Sequence, residues 1–253
     1  AVYDRSGQPA PAFATPLRLL DLARFPAGTV DFDPKVVYDH YTDHFVLVFL
    51  AVNDARERSW IVVATVPDAT AADPSTWCVR KIRGDLVPGD GPQWADYPGL
   101  GFDDDRVTVT SNQFTFRPYR FRYAQVLSMP KDQLYDCARD LEITAFHGEL
   151  TREPSGRKAF TIQPAVSYGR AARQFLLSFD AGAFEGNRLT VWRIGEGPRG
   201  LFLRRASLGV GRARVAPFGT QGGGSLVKED TLWDTGDLRL TSALYDGDLR
   251  AVF

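Results

Sequence analysis

Cysteine, histidine and methionine are scarce in this chain: its 253 residues hold two, three and one of them. Two cysteines, Cys78 and Cys137, are too few for a disulfide scaffold and lack metal-site spacing; a single bridge and two buried free thiols both remain open. His40 and His44 have the i,i+4 spacing of a helical zinc pair. The stretch between Asp39 and Asp43 reads as a turn, however, and no third ligand follows, which excludes zinc. No apolar run approaches the roughly 18 residues needed to cross a bilayer as a helix, so no membrane partner is expected. A net charge of -1 gives no chain-wide attraction to phosphate backbones or anionic lipid, which argues against nucleic acid.

Helical periodicity is also weak. Leu17 to Phe25 is the best helix candidate, but Pro16 and Pro26 bracket it and a strand fits equally well. Familiar site motifs are missing too. Gly222 to Ser225 lacks the order of a nucleophile elbow, and Gly209-Val210-Gly211 lacks the third glycine of a dinucleotide turn. Trp233-Asp234 has no 40-residue period around it. Asp103-Asp104-Asp105 lacks the glycine and terminal glutamate of a calcium loop and reads as a solvated hairpin turn. No cofactor is therefore expected, and calcium, chemically open to carboxylates, has no motif behind it.

What the chain does contain is a repeat. Pro34-Lys35-Val36-Val37-Tyr38-Asp39 returns as Pro98-Gly99-Leu100-Gly101-Phe102-Asp103 and again as Pro164-Ala165-Val166-Ser167-Tyr168-Gly169, the prolines lying 64 and 66 residues apart. A fourth copy without the proline begins at Thr241 and carries Tyr245-Asp246. Each of the first three copies is followed by a polar turn and a β-rich run: Phe45 to Phe49, Val107 to Thr110, and Phe175 to Phe179. Further strand candidates complete each unit: Trp60 to Val66 with Trp77 to Ile82, Tyr123 to Leu127 with Leu141 to Phe146, and Leu189 to Ile194 with Phe202 to Ala206.

Four strands per unit at this period predict an all-β protein, a β-propeller of four-stranded blades. A lone sheet cannot cover both of its faces, so equivalent sheets pack face to face around an axis. Gly99 and Gly101 suit the crowding of an inner strand there. The predicted blades span about 30–92, 93–159 and 160–232, with a partial one at 233–253; residues 1–29 form a lead-in or closing strand. A β-sandwich is the alternative, but it does not predict the recurring motif. About three and a half blades imply a C-terminal remainder, another segment or a second chain to complete the ring. Starting at Ala1 without Met, the chain reads as a processed form or a fragment, and the Gln8 to Ala12 stretch as a mobile lead-in; secretion is the expected location.

In such a fold the turns entering the inner strands line the mouth of a central channel. Asp33, Asp96 and Asp237 fall there, a carboxylate set able to act on a glycosidic bond or to hold a cation, or else simply to cap turns. Trp94, Tyr97, Gln163 and Arg239 share the rim. The turn between the second and third strands of the second unit interleaves Asn112, Phe114, Phe116, Arg117, Tyr119 and Arg120, rings and guanidinium groups that could stack on sugars and bind anions. Its phenylalanines could equally fold back as a small satellite core. Asn112, Phe116, Tyr119 and Arg120 are the binding candidates, and the equivalent loop from Asn53 to Ser59 reads as plain.

The repeating unit, with Asp33-Pro34, Asp96-Tyr97-Pro98 and Asp237 before its inner strands, resembles bacterial secreted β-propellers of the broad sialidase-like and glycosidase-like kind over roughly residues 30–253. The sialidase Asp-box is missing and no arginine triad is recognisable by motif, so the resemblance implies architecture and transfers no catalytic roles. The expected function is an extracellular module binding a glycan or a protein at the channel mouth. The alternatives are a polysaccharide-acting glycoside hydrolase using the rim carboxylates, and a structural or assembly subunit.

Overall fold

A computed structural model describes residues 18–71, 73–86, 91–170, 173–181, 185–214, 219–220, 232–233 and 240–252. The protein is all-β, with one α-helical turn, α1 (Lys131–Leu134). Twelve strands form three consecutive antiparallel meanders. The first is β1 (Val30–Asp39), β2 (His44–Asn53), β3 (Arg58–Pro67) and β4 (Cys78–Arg83). The second is β5 (Gln93–Phe102), β6 (Arg106–Thr115), β7 (Phe121–Pro130) and β8 (Thr144–Phe146). The third is β9 (Gln163–Ser167), β10 (Gln174–Ala181), β11 (Glu185–Gly197) and β12 (Gly200–Arg214). The two-residue strands β13 (Gly219–Thr220) and β14 (Leu232–Trp233) pair with each other, and β15 (Ser242–Tyr245) with β16 (Leu249–Val252) form a final hairpin.

The meanders are joined at their first strands. β9 bridges β5 in parallel at Val166 and Phe102, and β15 pairs with β9 in parallel through Ala243–Ala165 to Tyr245–Ser167. The second and third units therefore run on as one curled sheet of eight strands, while β1 packs beside β5 without a recorded ladder. Each repeated aromatic lies at or next to the C-terminal end of a first strand: Tyr38 in β1, Phe102 closing β5, Tyr168 just after β9, and Tyr245 closing β15. Their burial differs, because Phe102 is enclosed whereas Tyr38 and Tyr168 are exposed.

Strand alternation explains the layering. Side chains two apart share a face, so a strand apolar at every position is covered on both sides. On β2, Val46, Val48 and Leu50 meet Phe102, Val109, Leu127 and Met129 of the second unit. The opposite face of β2, with Phe49 and Ala51, packs with Trp60 and Val62 under Leu19, Leu20, Leu22 and Phe25. On β7 the alternate residues Ala124 and Val126 turn to Leu176, Trp192 and Ile194 of the third unit. Leu177 and Val191 then face Ala243, Leu249 and Ala251 of the last hairpin.

Several expectations are resolved differently from the sequence reading. Residues Leu19–Leu22 form a single 3-10 turn, neither the α-helix nor the strand weighed for Leu17 to Phe25, and its leucines cap the outer face of the first sheet. Leu141 to Ile143 are not strand; only Thr144–Phe146 pairs with β7. Asp103 is not solvated. It lies buried in the β5–β6 turn, its Oδ1 accepting the backbone N–H groups of Asp105 at 3.0 Å and Arg106 at 2.8 Å. Cys78 and Cys137 are bridged, with Cα atoms 5.4 Å apart, tying β4 of the first unit to the segment after α1 in the second. Arg80 reinforces that tie by donating to the carbonyls of Gln133, Asp136 and Arg139 at 2.7–2.9 Å.

Candidate functional site

At the end of the sheets where β1 and β5 begin, the first and second units form an open aromatic cavity of about 360 Å3 lined by Val52, Asp54, Trp94, Phe116 and Tyr119. Its construction starts with the β2–β3 turn. Asn53 caps the 3-10 turn Asp54–Arg56, its Oδ1 accepting the Arg56 N–H at 3.1 Å. Its Nδ2 donates to Ala27 O at 3.0 Å and to Thr29 Oγ1 at 3.2 Å, so the position of Asp54 is fixed from behind. Asp54 then reaches across to the second unit, where Oδ2 accepts Arg117 Nη2 at 2.9 Å and Oδ1 accepts the Tyr119 hydroxyl at 3.0 Å. These bonds hold the Asp54 carboxyl below the usual carboxylate range and push the Tyr119 phenol up.

The loop from Phe116 to Arg120 closes on itself. Thr115 N–H donates to Arg120 O at 3.0 Å, the Thr115 hydroxyl donates to Pro118 O, and the Arg117–Pro118 peptide is cis. Phe116 turns inward and is 2% exposed, whereas Tyr119 is 63% exposed. The two readings of this loop are thus divided between its residues: Phe116 anchors it as core, and Tyr119 stands in the open with Arg120.

Trp94, on β5 ahead of its prolyl bulge, supplies the platform. Its ring stacks on Phe114 with centroids 5.3 Å apart and meets Tyr119 and Phe32 edge-on at 6.2 and 6.3 Å. Phe114 continues to Phe121 at 5.6 Å and Phe121 to Phe160 at 5.0 Å, so a partly exposed aromatic strip crosses this end of the molecule. The Trp94 indole N–H is shielded and has no hydrogen-bond partner among the described residues. A shielded donor without an acceptor costs free energy of the order of 1–3 kcal/mol.

The other predicted residues lie nearer the first strands. Asp33 is exposed on β1 and Asp96 half-buried on β5. Asp33 and Tyr97 occupy equivalent bulges, each with φ of 51° immediately before Pro34 and Pro98. A non-glycine residue held there before proline is strained, and it marks where the strands are bent to aim their side chains. Gln163 Oε1 accepts from Lys35 Nζ at 3.3 Å, and the same ammonium sits 5.0 Å from the Tyr97 ring centroid. Asn112 is fully buried with both amide atoms committed to Thr161, Nδ2 to Oγ1 and Oδ1 to the backbone N–H, each at 2.8 Å. It links the second unit to the third and is not available to a ligand. Asp237 and Arg239 lie outside the described residues.

The geometry thus brings Trp94, Phe116 and Tyr119 to one cavity, and Tyr97 and Gln163 to one ammonium. Asp54, Phe32 and Lys35 escaped the sequence reading. Asp54 sits in a loop with no aromatic or glycine signature, and Lys35 acquires its place only through Gln163, far along the chain. His40 and His44 enter separate stacks, with Tyr168 at 5.3 Å and Tyr135 at 4.4 Å. Among the described residues no group of three His, Cys, Asp or Glu side chains could hold a metal, and no helix is long and apolar enough to cross a membrane. No protein-family model, curated protein or solved structure matches the chain.

Proposed function

We propose that the meanders are blades of a propeller-like assembly and that the chain is a binding module, taking a glycan at the aromatic cavity between its first two units. The observation that carries this reading is the meeting of two rings and a carboxylate at one cavity: the Trp94 ring in its wall, the exposed Tyr119 ring edge-on to it at 6.2 Å, and Asp54 beside the Tyr119 hydroxyl. Sugar rings present C–H faces that pack on aromatic planes and hydroxyls that can donate to a carboxylate, so adjoining rings beside a carboxylate acceptor match one kind of ligand. The aromatic strip through Phe114, Phe121 and Phe160 extends the platform beyond a single residue.

An oligosaccharide array with the intact protein tests the reading. Capture of at least one neutral or acidic oligosaccharide is expected, weakened roughly tenfold or more by Tyr119→Ala and by Trp94→Phe. Tyr119 is exposed, so that change leaves the fold intact, and Trp94→Phe keeps an aromatic wall while reducing its stacking area. Unchanged capture in both variants, or an array with no captured glycan, overturns it.

The rim carboxylates support a second reading, glycoside hydrolysis, because Asp33 and Asp96 both flank the prolyl bulges of neighbouring first strands. Turnover of a polysaccharide panel that disappears in Asp33→Asn or Asp96→Asn is the expected result there; turnover surviving in both variants refutes it.

A further inference from the structure

A second cavity, about 330 Å3, lies among the first strands themselves. Lys35 and Gln163 form its polar end, Val37, Leu100 and Val166 its walls, and Ser242 stands exposed at its rim. It is built from β1, β5, β9 and β15, one strand from every unit, and is separate in composition from the aromatic cavity.

Lys35 is the unusual member. Its ammonium carries three donors, of which one is answered by the neutral amide of Gln163 at 3.3 Å, a long bond, while the Tyr97 ring offers only its face. No carboxylate among the described residues comes within ion-pair distance; Asp33 acts on it from further away. A half-buried, incompletely compensated ammonium in an apolar cavity is costly to keep without a counter-charge. Burial accordingly lowers its pKa, against the opposing pull of Asp33. The two strained positions adjoin this group along the chain: Asp33 stands two residues before Lys35, and Tyr97 carries the ring under its ammonium.

We propose that this cavity binds a small monocarboxylate with a compact apolar body, its carboxylate on Lys35 Nζ and the Gln163 amide. One ammonium balances one negative charge, so a monoanion fits where a phosphate dianion would leave charge unpaired against apolar walls. The aliphatic walls take the ligand body. The volume sits at the lower end of small-molecule cavities, which run from about 300 to 1,000 Å3, and sets the size at a few carbons.

Isothermal titration of the intact protein with isovalerate and 2-hydroxyisovalerate, against isovaleramide and inorganic phosphate, tests this. At least one carboxylate is expected to bind, with the amide and phosphate at least tenfold weaker. Lys35→Met is expected to reduce carboxylate binding at least tenfold. Gln163→Glu provides the check that does not depend on losing the lysine: it installs an internal counter-charge on Lys35, gives up the amide donation to Pro164 O, and in the folded protein is expected to abolish binding. Lysine side-chain NMR adds a direct readout, because the Lys35 Nζ pKa rises when a carboxylate is bound and stays unchanged with the amide. The proposal is overturned by absence of carboxylate binding, by phosphate or amide binding as tightly as carboxylate, or by a folded Gln163→Glu protein that binds like the parent.

Discussion

Lys131 Nζ lies 2.8 Å from Asp39 Oδ2, and both side chains are almost completely buried where the first unit meets the second. Tyr135 adds its hydroxyl to the same carboxylate oxygen at 2.7 Å, Thr42 donates to it at 2.8 Å, and the ammonium sits over the Tyr41 and Phe102 rings. Burial pushes the Asp39 carboxyl up, but Lys131, Tyr135 and Thr42 together outweigh it and hold the group below its usual range. Removing one partner leaves the other charge buried alone, so Asp39→Asn is expected to cost about 3–5 kcal/mol. Urea unfolding at neutral pH measures it. Because the folded-state pKa is depressed, this contribution is present above the unfolded pKa and fades as pH falls through the folded one. A Lys131→Met, Asp39→Leu pair should recover much of the loss, which separates the cost of an orphaned charge from the worth of the pair.

Asp103, in the same junction and within electrostatic reach of Lys131, runs in the opposite direction. Burial raises its pKa from 3.8 to about 6 in spite of the N–H groups of Arg106 and Asp105 that point at it. An acid that holds its proton more tightly when folded makes the folded state bind more protons between those two values, so its contribution to stability falls as pH rises from about 4 to 6. The interval corresponds to roughly 3 kcal/mol. Asp103→Asn keeps an acceptor oxygen for both N–H groups and removes the buried charge. Thermal or urea unfolding should find the variant about 1–3 kcal/mol more stable than the parent at pH 7.5 and equal to it at pH 4. A variant that is less stable at pH 7.5 contradicts the assignment.

The Cys78–Cys137 bridge closes a segment of 59 residues that contains all of β5, β6 and β7. Loop-closure entropy for a segment of that length comes to about 4 kcal/mol, and measured effects commonly fall at or below the theoretical value. Replacing both cysteines with serine, or adding reductant, should lower the unfolding free energy by about 2–4 kcal/mol. Arg80 grips the same segment at three carbonyls independently of the sulfurs, so the reduced protein is expected to remain folded at neutral pH and 25 °C. Denaturant titrations with and without dithiothreitol decide the matter.

The strands and their grouping were readable because burial on two faces leaves runs such as Phe45 to Phe49 apolar at every position, and because the proline-to-aromatic motif recurs along each first strand, with its aromatic at or next to the C-terminal end. The motif conceals differences, though. Pro34 and Pro98 follow residues at φ of 51°, but Pro164 pairs regularly with Leu176, and in the third unit the positive φ falls on Thr161. Trp94 and Tyr119 stood out as rings in a polar loop. Asn112 looked equally available, since an amide beside aromatics carries no mark of the distant backbone it will serve; only the approach of Thr161 buries it. Lys35 and Asp54 were invisible for the converse reason, since each is an ordinary residue in a strand or turn whose neighbours come from another unit.

Gly101 illustrates how far that neighbour dependence reaches. Its backbone lies against β9 so closely that an added Cβ would stand 2.4 Å from Ala165 O and 2.8 Å from Pro164 Cβ. Gly99 has the same relation to Thr110 Oγ1 at 2.3 Å and Pro164 Cδ at 2.6 Å. The contact at Gly101 is with backbone, which cannot swing aside as a side chain can, so Gly101→Ala must push β9 from β5 at the point where the two bridge through Phe102 and Val166. Overpacking of this kind typically costs about 1–3 kcal/mol, and no gain in strand propensity for alanine offsets it. At Gly99 the nearest atom is a hydroxyl that can rotate, although doing so forfeits the 2.5 Å hydrogen bond from Thr110 to Ile162 O. Both variants should lose stability in urea unfolding, with Gly101→Ala the worse and its hydrogen-exchange protection falling most in β9. Equal exchange in β9 for parent and variant would show that the second and third units are not held together at this strand pair.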